Sequence, residues 1–151
     1  MKRIGAAALV GLLLLFAFAA AGCDTQKTYV DGSYRAEFAD FDSYGYKDFL
    51  EITVQGGRVT AVTFNGVDAQ GGLKSDDAAY RENMEKIQGT NPSKYSADVI
   101  NQYLEQLDIK KVDIVAGATY STNCFKALFF ALEANMLKGD QTLVVVQNIT
   151  A

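Results

Sequence analysis

The chain has 151 residues, of which 18 are acidic and 14 basic, and it contains two cysteines and no histidine. A net charge of −4 disfavours nucleic acid as a partner, because nucleic-acid binding depends on basic surfaces. The lack of histidine excludes His-based triads, His-ligated zinc and axial histidine to haem. Any redox activity would therefore need an organic cofactor, and we predict neither a metal site nor a catalytic residue.

The N-terminal segment has the pattern of a processing signal. Lys2 and Arg3 precede an apolar run over residues 4–21, and this run ends in Ala20-Ala21-Gly22-Cys23. Small residues before a cysteine resemble the lipobox of bacterial lipoproteins, in which the cysteine is acylated and becomes the mature N-terminus. An ordinary signal peptide or a retained membrane helix is the alternative, since 18 apolar residues are borderline for spanning a bilayer.

These features predict three segments. We expect residues 1–22 to be a lipoprotein signal peptide, residues 23–28 to be a lipidated tether and residues 29–151 to form one domain. Cleavage before Cys23 leaves 129 residues with a net charge of −6, so we expect the lipid to be the anchor. The protein would then lie on the extracytoplasmic face of the cell membrane.

Strand patterns dominate the first part of the domain. Residues 32–38 alternate between apolar and polar side chains, which predicts a half-buried strand. Two β-rich runs, 49–54 and 59–64, flank Gln55-Gly56-Gly57-Arg58, and this spacing predicts a β-hairpin because glycines permit positive φ. Near the C-terminus, the continuous apolar run 143–146 predicts a strand that is buried on both faces.

Two short helices are predicted in the middle of the chain. The first begins after Ser75, where two aspartates favour a helix start, and ends at Gly89. The second follows Asn91-Pro92 and is capped by Ser96. Its predicted stripe consists of Ile100, Leu104 and Leu107, with Val99 and Tyr103 beside them.

A third helix is predicted from Thr119 to Lys138, with apolar residues at spacings of three and four and Gly139 at its end. Cys124 falls within this helix, and we expect it to be a small buried hydrophobe. The order of the elements predicts an α+β fold with an antiparallel sheet and about three helices packed on one face, in a single domain.

The most specific motif is Asp113 to Thr119, DIVAGAT, at the start of the third helix. A Gly-Ala turn lets the backbone approach a bulky group closely, and the free N–H groups of a helix's first turn favour a phosphate. The alternative is a plain strand-to-helix turn in which Thr119 merely caps the helix.

This motif resembles DxxSGAT or DxxAGAT, the acceptor signature of the FMN-binding domain family. The resemblance covers residues 29–148 and includes GSY, KDFLEITV, GGRVTAVTF, KSDDAAY and NPSKY, and it is greatest to small membrane-anchored lipoproteins of that family. It implies that FMN is bound covalently to Thr119 through a phosphoester and that a Mg-dependent flavin transferase attaches it. Thr119 would then be a substrate of the transferase rather than a catalyst.

The resemblance also implies roles for the neighbouring residues. Asp113 would be read by the transferase or fix the turn, and Ala116 stands where many members have Ser. The implied cofactor-binding residues are Asp113, Ala116, Gly117, Ala118, Thr119, Tyr120 and Ser121. Candidates to shelter the isoalloxazine ring, unless they fill the core or the outer face of the sheet, are Tyr120, Phe41, Tyr44, Tyr46 and Tyr80.

The resemblance predicts a lipid-anchored electron-transfer flavoprotein whose redox partners lie in the membrane or envelope. One alternative is a non-redox surface lipoprotein that uses the same fold as a ligand-binding or interaction module. A flavin-dependent reductase acting on a small organic acceptor is less favoured, because 129 residues with one flavin site leave little room for a substrate pocket.

Overall fold

Four β-strands form one mixed sheet in the order β3-β2-β1-β4. The computed structural model describes residues 27–149, and the predicted signal peptide and Cys23 lie outside them. The strands are β1 (Gly32–Phe38), β2 (Lys47–Gln55), β3 (Arg58–Val67) and β4 (Val144–Val146). The first three pair antiparallel, as predicted. The predicted antiparallel pairing is wrong for the fourth strand, since β4 runs parallel to β1. The chain between β3 and β4 passes through the helices, as a parallel pair requires a long crossover connection.

The β2–β3 hairpin is confirmed at the predicted turn. Gly56 and Gly57 have φ of 59° and 77°, and positive φ at both central residues suits the twist of a two-residue hairpin. The carboxylate of Asp31 accepts hydrogen bonds from both glycine N–H groups at 3.0 and 2.8 Å. The alternation in β1 is also confirmed, since its core-facing side chains are buried.

The prediction that the last strand is buried on both faces is wrong. β4 lies at the edge of the sheet and has only β1 as a neighbour. Val145 is 56% exposed, and Leu143 precedes the strand and is also exposed. An apolar β-branched run fits a half-covered edge strand as well as a central one, so the sequence pattern did not distinguish the two.

Three α-helices follow β3: α1 (Ala78–Gln88), α2 (Pro92–Gln106) and α3 (Thr119–Lys138). A short 3₁₀ turn, Ile109–Lys111, follows α2. The predicted bounds of α3 are confirmed at both ends, and Gly139 adopts the left-handed conformation at its C-cap. Gly89 ends α1 in the same way.

The predicted start and stripe of α2 need correction. Asn91 is the N-cap and accepts a hydrogen bond from the Lys94 backbone N–H, while Pro92 occupies the first turn, where its missing N–H is not needed. Ser96 therefore lies inside the helix. The buried side chains of α2 are Pro92, Tyr95, Val99 and Tyr103, whereas the predicted stripe residue Leu104 is 38% exposed.

The core lies between one face of the sheet and the helices. α3 packs across β1 and β2, and α2 packs against β3. α1 differs from both, because none of its residues is buried. The α+β prediction with helices on one face is confirmed, and α1 contacts this core through the partly buried side chain of Met84.

Truncating one side chain from the predicted stripe of α2 and one from the observed buried face distinguishes the two orientations. Val99→Ala should lower the free energy of unfolding by about 2 kcal/mol, since it removes two buried carbons and leaves a cavity. Leu104→Ala should cost less than about 1 kcal/mol, although it removes more atoms, because this side chain is partly solvated. Urea denaturation measures both, and a larger loss for Leu104→Ala would contradict the observed orientation of α2.

Candidate ligand-binding site

A pocket of about 850 Å³ lies between α1, the first turn of α3, the loop around Asp42 and the segment around Asn148. This volume is within the range of about 300 to 1,000 Å³ that is typical of small-molecule sites. The apolar side chains of α1, Tyr80, Met84 and Ile87, all line it, and Ile87 is 66% exposed. The apolar face of α1 therefore borders the pocket.

The loop before α3 is fixed by hydrogen bonds to two helices. Gln102 of α2 accepts a hydrogen bond from the Asp113 backbone N–H at 2.7 Å. Thr122 of α3 accepts one from the Val115 backbone N–H at 3.2 Å and donates one to the Ala118 carbonyl at 2.9 Å. The Ala118 N–H closes a tight turn onto the Val115 carbonyl. This network sets where α3 begins.

Gly117 makes the closest approach between the loop and α1. Its φ of 74° is in the left-handed region, and a Cβ placed there would lie 2.3 Å from the carbonyl oxygen of Gln88. Gln88 is the last residue of α1. Only glycine therefore allows the end of α1 to contact the turn that precedes α3.

The first turn of α3 opens into the pocket without a side-chain cap. Ala118 is the N-cap, and its methyl group cannot accept a hydrogen bond. Thr119 is the first residue of the helix, so the interpretation in which Thr119 caps it is wrong by one residue. Its side chain is exposed and lines the pocket. Uncapped N–H groups and the helix dipole make this end favourable for an anion.

The structure brings most of the predicted site residues together. Five of the seven line the pocket: Gly117, Ala118, Thr119, Tyr120 and Ser121. The other two, Asp113 and Ala116, lie in the preceding loop, are exposed and do not line the pocket. Their placement is compatible with recognition by another protein, since their side chains face outward.

Two of the predicted aromatic residues join Tyr120 at the pocket. Tyr44 and Tyr80 both line it, with ring centroids 5.6 Å apart in an edge-to-face arrangement. Tyr46 lies behind Tyr80 and donates a 2.6 Å hydrogen bond to Asp77, the N-cap of α1, which raises the pKa of Tyr46 to about 12. Phe41 lies outside the pocket lining and faces the ammonium of Lys47.

A buried lysine lies at the base of the pocket, and sequence reasoning missed it. The Lys74 ammonium is 2.9 Å from Asp42 and 3.8 Å from Asp48, and it lies over the rings of Tyr46 and Tyr80 at 5.3 and 5.2 Å. Burial has the largest single effect and would lower the pKa of Lys74, but Asp48, the neighbouring tyrosines and the hydrogen bond to Asp42 together outweigh it and raise the pKa. Lys74 is therefore a positive charge at neutral pH.

Asp48 belongs to the same cluster, but its buried carboxylate has few polar partners. Its Oδ1 atom has no hydrogen-bond partner among the side chains and backbone of residues 27–149, and burial raises the pKa of its carboxyl group. The signal for it was present in the sequence, since Asp48 shares the core face of β2 with Leu50 and Ile52. A charged residue in that position usually has a buried partner.

Cys124 lies on the buried side of α3 near this cluster. Burial raises the pKa of its thiol, so the group stays protonated and inert. The prediction of a small buried hydrophobe is confirmed.

The fold and the site define a small α+β domain with a ligand-sized pocket at the N-terminus of its longest helix. No protein-family model matches the chain. A 15 kDa lipoprotein of Treponema pallidum (strain Nichols) is 36% identical over 115 residues, which cover 76% of this chain and 82% of that protein. The chain therefore belongs to the family of this lipoprotein, and it is a membrane-anchored lipoprotein.

A solved structure shares the fold. The crystal structure of the CPE2226 protein from Clostridium perfringens superposes with a TM-score of 0.75 at 30% identity, covering 80% of this chain and 99% of that one. Within residues 27–149 of this chain, every helix is too short or too polar to cross a bilayer.

Gly117 and Gly89 form a matched pair for testing the contact between the helix ends. Both have φ near 74°, but a Cβ at Gly89 would meet nothing within 4 Å. Gly89→Ala should lower the free energy of unfolding by about 1 to 2 kcal/mol, because alanine must adopt the left-handed conformation. Gly117→Ala should cost at least about 2 kcal/mol more, because the backbone must also move away from Gln88. Equal losses in urea denaturation would contradict the close contact.

Removing the charge of Lys74 should destabilise the fold in a pH-dependent way. Lys74→Met should lower the free energy of unfolding by about 3 to 5 kcal/mol at pH 7, because it leaves the buried Asp48 carboxylate without its cation. Burial already raises the pKa of Asp48 in the folded chain, so the lost stability should return as pH falls towards the ordinary Asp value of 3.8. Lys86→Met on exposed α1 is the control. A deficit that stays constant from pH 7 to 4 would refute this electrostatic account.

Proposed function

We propose that this lipoprotein carries FMN covalently on Thr119 and transfers electrons outside the cytoplasmic membrane. One observation carries the proposal: the last residue of the DIVAGAT segment begins α3 and lines a pocket of about 850 Å³. The exposed hydroxyl of Thr119 is accessible to a transferase and lies beside the space that the cofactor would fill.

The first turn of α3 suits the phosphate of FMN. The turn has no side-chain cap, and Tyr120 and Ser121 continue it along the pocket wall. A phosphate esterified to Thr119 would stay within reach of these backbone N–H groups, where the helix dipole stabilises negative charge. The Ser121 hydroxyl is a further donor on the same wall.

The wall formed by α1 suits the isoalloxazine ring. Met84, Ile87 and the ring of Tyr80 present an apolar surface there, and Tyr44 and Tyr120 add two further aromatic side chains. Such a surface excludes water from a flat aromatic ligand and offers edge and face contacts to it. Tyr80 and Met84 are partly covered by the rest of the domain, whereas Ile87 is 66% exposed at the pocket.

Lys74 and Asp42 place an ion pair in the wall of the pocket. The Lys74 ammonium stays protonated at neutral pH, and Asp42 and Asp48 offset its charge. When bound, FMN would supply reversible one-electron and two-electron transfer. Lys74 and Asp42 thus act by electrostatics rather than as catalytic groups.

Membership of a lipoprotein family supports the membrane location. We extend it to acylation of Cys23, which lies outside the described residues, and to an extracytoplasmic position. A covalent bond to the cofactor suits an exported protein, since flavin lost outside the cytoplasm is not replaced. A flavin transferase would be the maturation partner, and redox proteins of the membrane or envelope would be the electron partners.

Intact mass tests the attachment. The mature domain, expressed with an active flavin transferase and denatured before analysis, should be yellow and heavier by one FMN less one water. Thr119→Ala should abolish the added mass, whereas the neighbouring Ser121→Ala should retain it. Retention by Thr119→Ala would refute the attachment site. An unmodified wild-type mass would refute the flavoprotein and leave the non-redox binding module.

A further inference from the structure

The outer face of α3 is apolar although it faces away from the core. Phe130, Ala134 and Leu137 follow each other at spacings of four and three, so they form one stripe along the helix. Phe130 is 46% exposed and Leu137 is 48% exposed, and all three residues belong to the surface of the described domain. The opposite side of α3 packs on the sheet. An exposed apolar stripe on a helix whose other side is already packed favours contact with a second apolar environment.

The chain places the predicted anchor next to this stripe. Lys27, the first described residue, pairs with Glu133 of α3 at 2.7 Å. Cys23 lies four residues earlier, so the lipid attachment point is at most about 14 Å from Lys27. Val30 is also tied to α3, since its N–H donates to the Met136 carbonyl at 2.9 Å. The first described residues therefore lie against α3, next to the stripe.

Lysines surround the same region despite the acidic net charge. Lys27, Lys110 and Lys111 line a hollow of about 310 Å³ together with Phe130. Two carboxylates share this hollow, and both are engaged. Glu133 pairs with Lys27, and Asp108 accepts a hydrogen bond from the Lys110 backbone N–H. The ammonium groups of Lys110 and Lys111 are exposed.

We propose that the outer face of α3 docks on the bilayer that anchors the chain. Phe130 and Leu137 would enter the boundary between headgroups and acyl chains, and Lys110 and Lys111 would contact lipid phosphates. Aromatic and aliphatic side chains beside lysines form the usual surface of a protein that lies on a membrane. The proposal rests on acylation at Cys23 but does not depend on the cofactor.

Tryptophan reporters test the orientation, because the chain has no tryptophan of its own. We would introduce Phe130→Trp or Leu137→Trp into the acylated full-length protein and reconstitute it in phosphatidylcholine and phosphatidylglycerol vesicles. Lipids brominated on their acyl chains quench only nearby indoles. Val145→Trp is the matched control, because Val145 is similarly exposed but points to the face of the sheet opposite the helices, between the core-facing Val144 and Val146.

Docking predicts that brominated lipid removes most of the fluorescence of Phe130→Trp and Leu137→Trp and leaves that of Val145→Trp nearly unchanged. Circular dichroism would verify that each variant is folded. Absence of quenching at both α3 positions would overturn the proposal, as would equal quenching at all three. A spectral shift at α3 that depends on protein density but not on brominated lipid would overturn it too, and would assign the face to a second copy of the chain.

Discussion

Two helix ends meet at one backbone contact, and the pocket depends on it. α1 ends at Gln88, and the carbonyl oxygen of Gln88 lies against Gly117. α3 begins at Thr119, two residues after this glycine. Any side chain at Gly117 would push these ends apart, because it would lie 2.3 Å from that oxygen. The contact holds the apolar face of α1 opposite the uncapped first turn of α3. An apolar wall and an anion-binding end thus face each other across a space of ligand size.

Buried charges also fix the position of the loop that borders the pocket. Lys74 is coupled to a loop carboxylate, Asp42, and to a strand carboxylate, Asp48. A buried ion pair of this kind adds little net stability, since desolvation offsets most of the attraction. Its effect is to fix positions: Asp42 also accepts hydrogen bonds from the N–H groups of Tyr44 and Tyr46, so the loop that carries the pocket aromatics is tied to Lys74.

The sequence predicted elements whose signals are local. The bounds of α3 followed from regular spacing and from Gly139, and the hairpin followed from two adjacent glycines. The start of α2 was missed because Asn91-Pro92 and Ser96 both resemble helix starts, and only packing decides between them. The edge position of β4 was missed because a strand's neighbours are set by topology rather than by its own residues.

The same distinction applies to the site. The pocket residues Gly117, Ala118 and Thr119 were found because one motif contains them, and Tyr120 and Ser121 directly follow it. Lys74 was missed because its partner Asp42 lies 32 residues away in sequence and meets it only in the folded chain. The contribution of α1 was missed for a different reason. The fold prediction placed all three helices on one face of the sheet, and the pattern of a helix does not reveal whether its apolar side chains contact protein or line a pocket.

α1 is held mainly at its ends. Asp77 links its start to Tyr46, Gln88 joins its end to Gly117, and Glu85 bonds to Asn91 at the start of α2. Between these ends none of its residues is buried, so little apolar packing opposes local opening of the helix. Its amide protons should therefore exchange with solvent sooner than those of α3. A ligand in the pocket would add apolar contacts to α1, so its binding and the order of α1 would be thermodynamically linked.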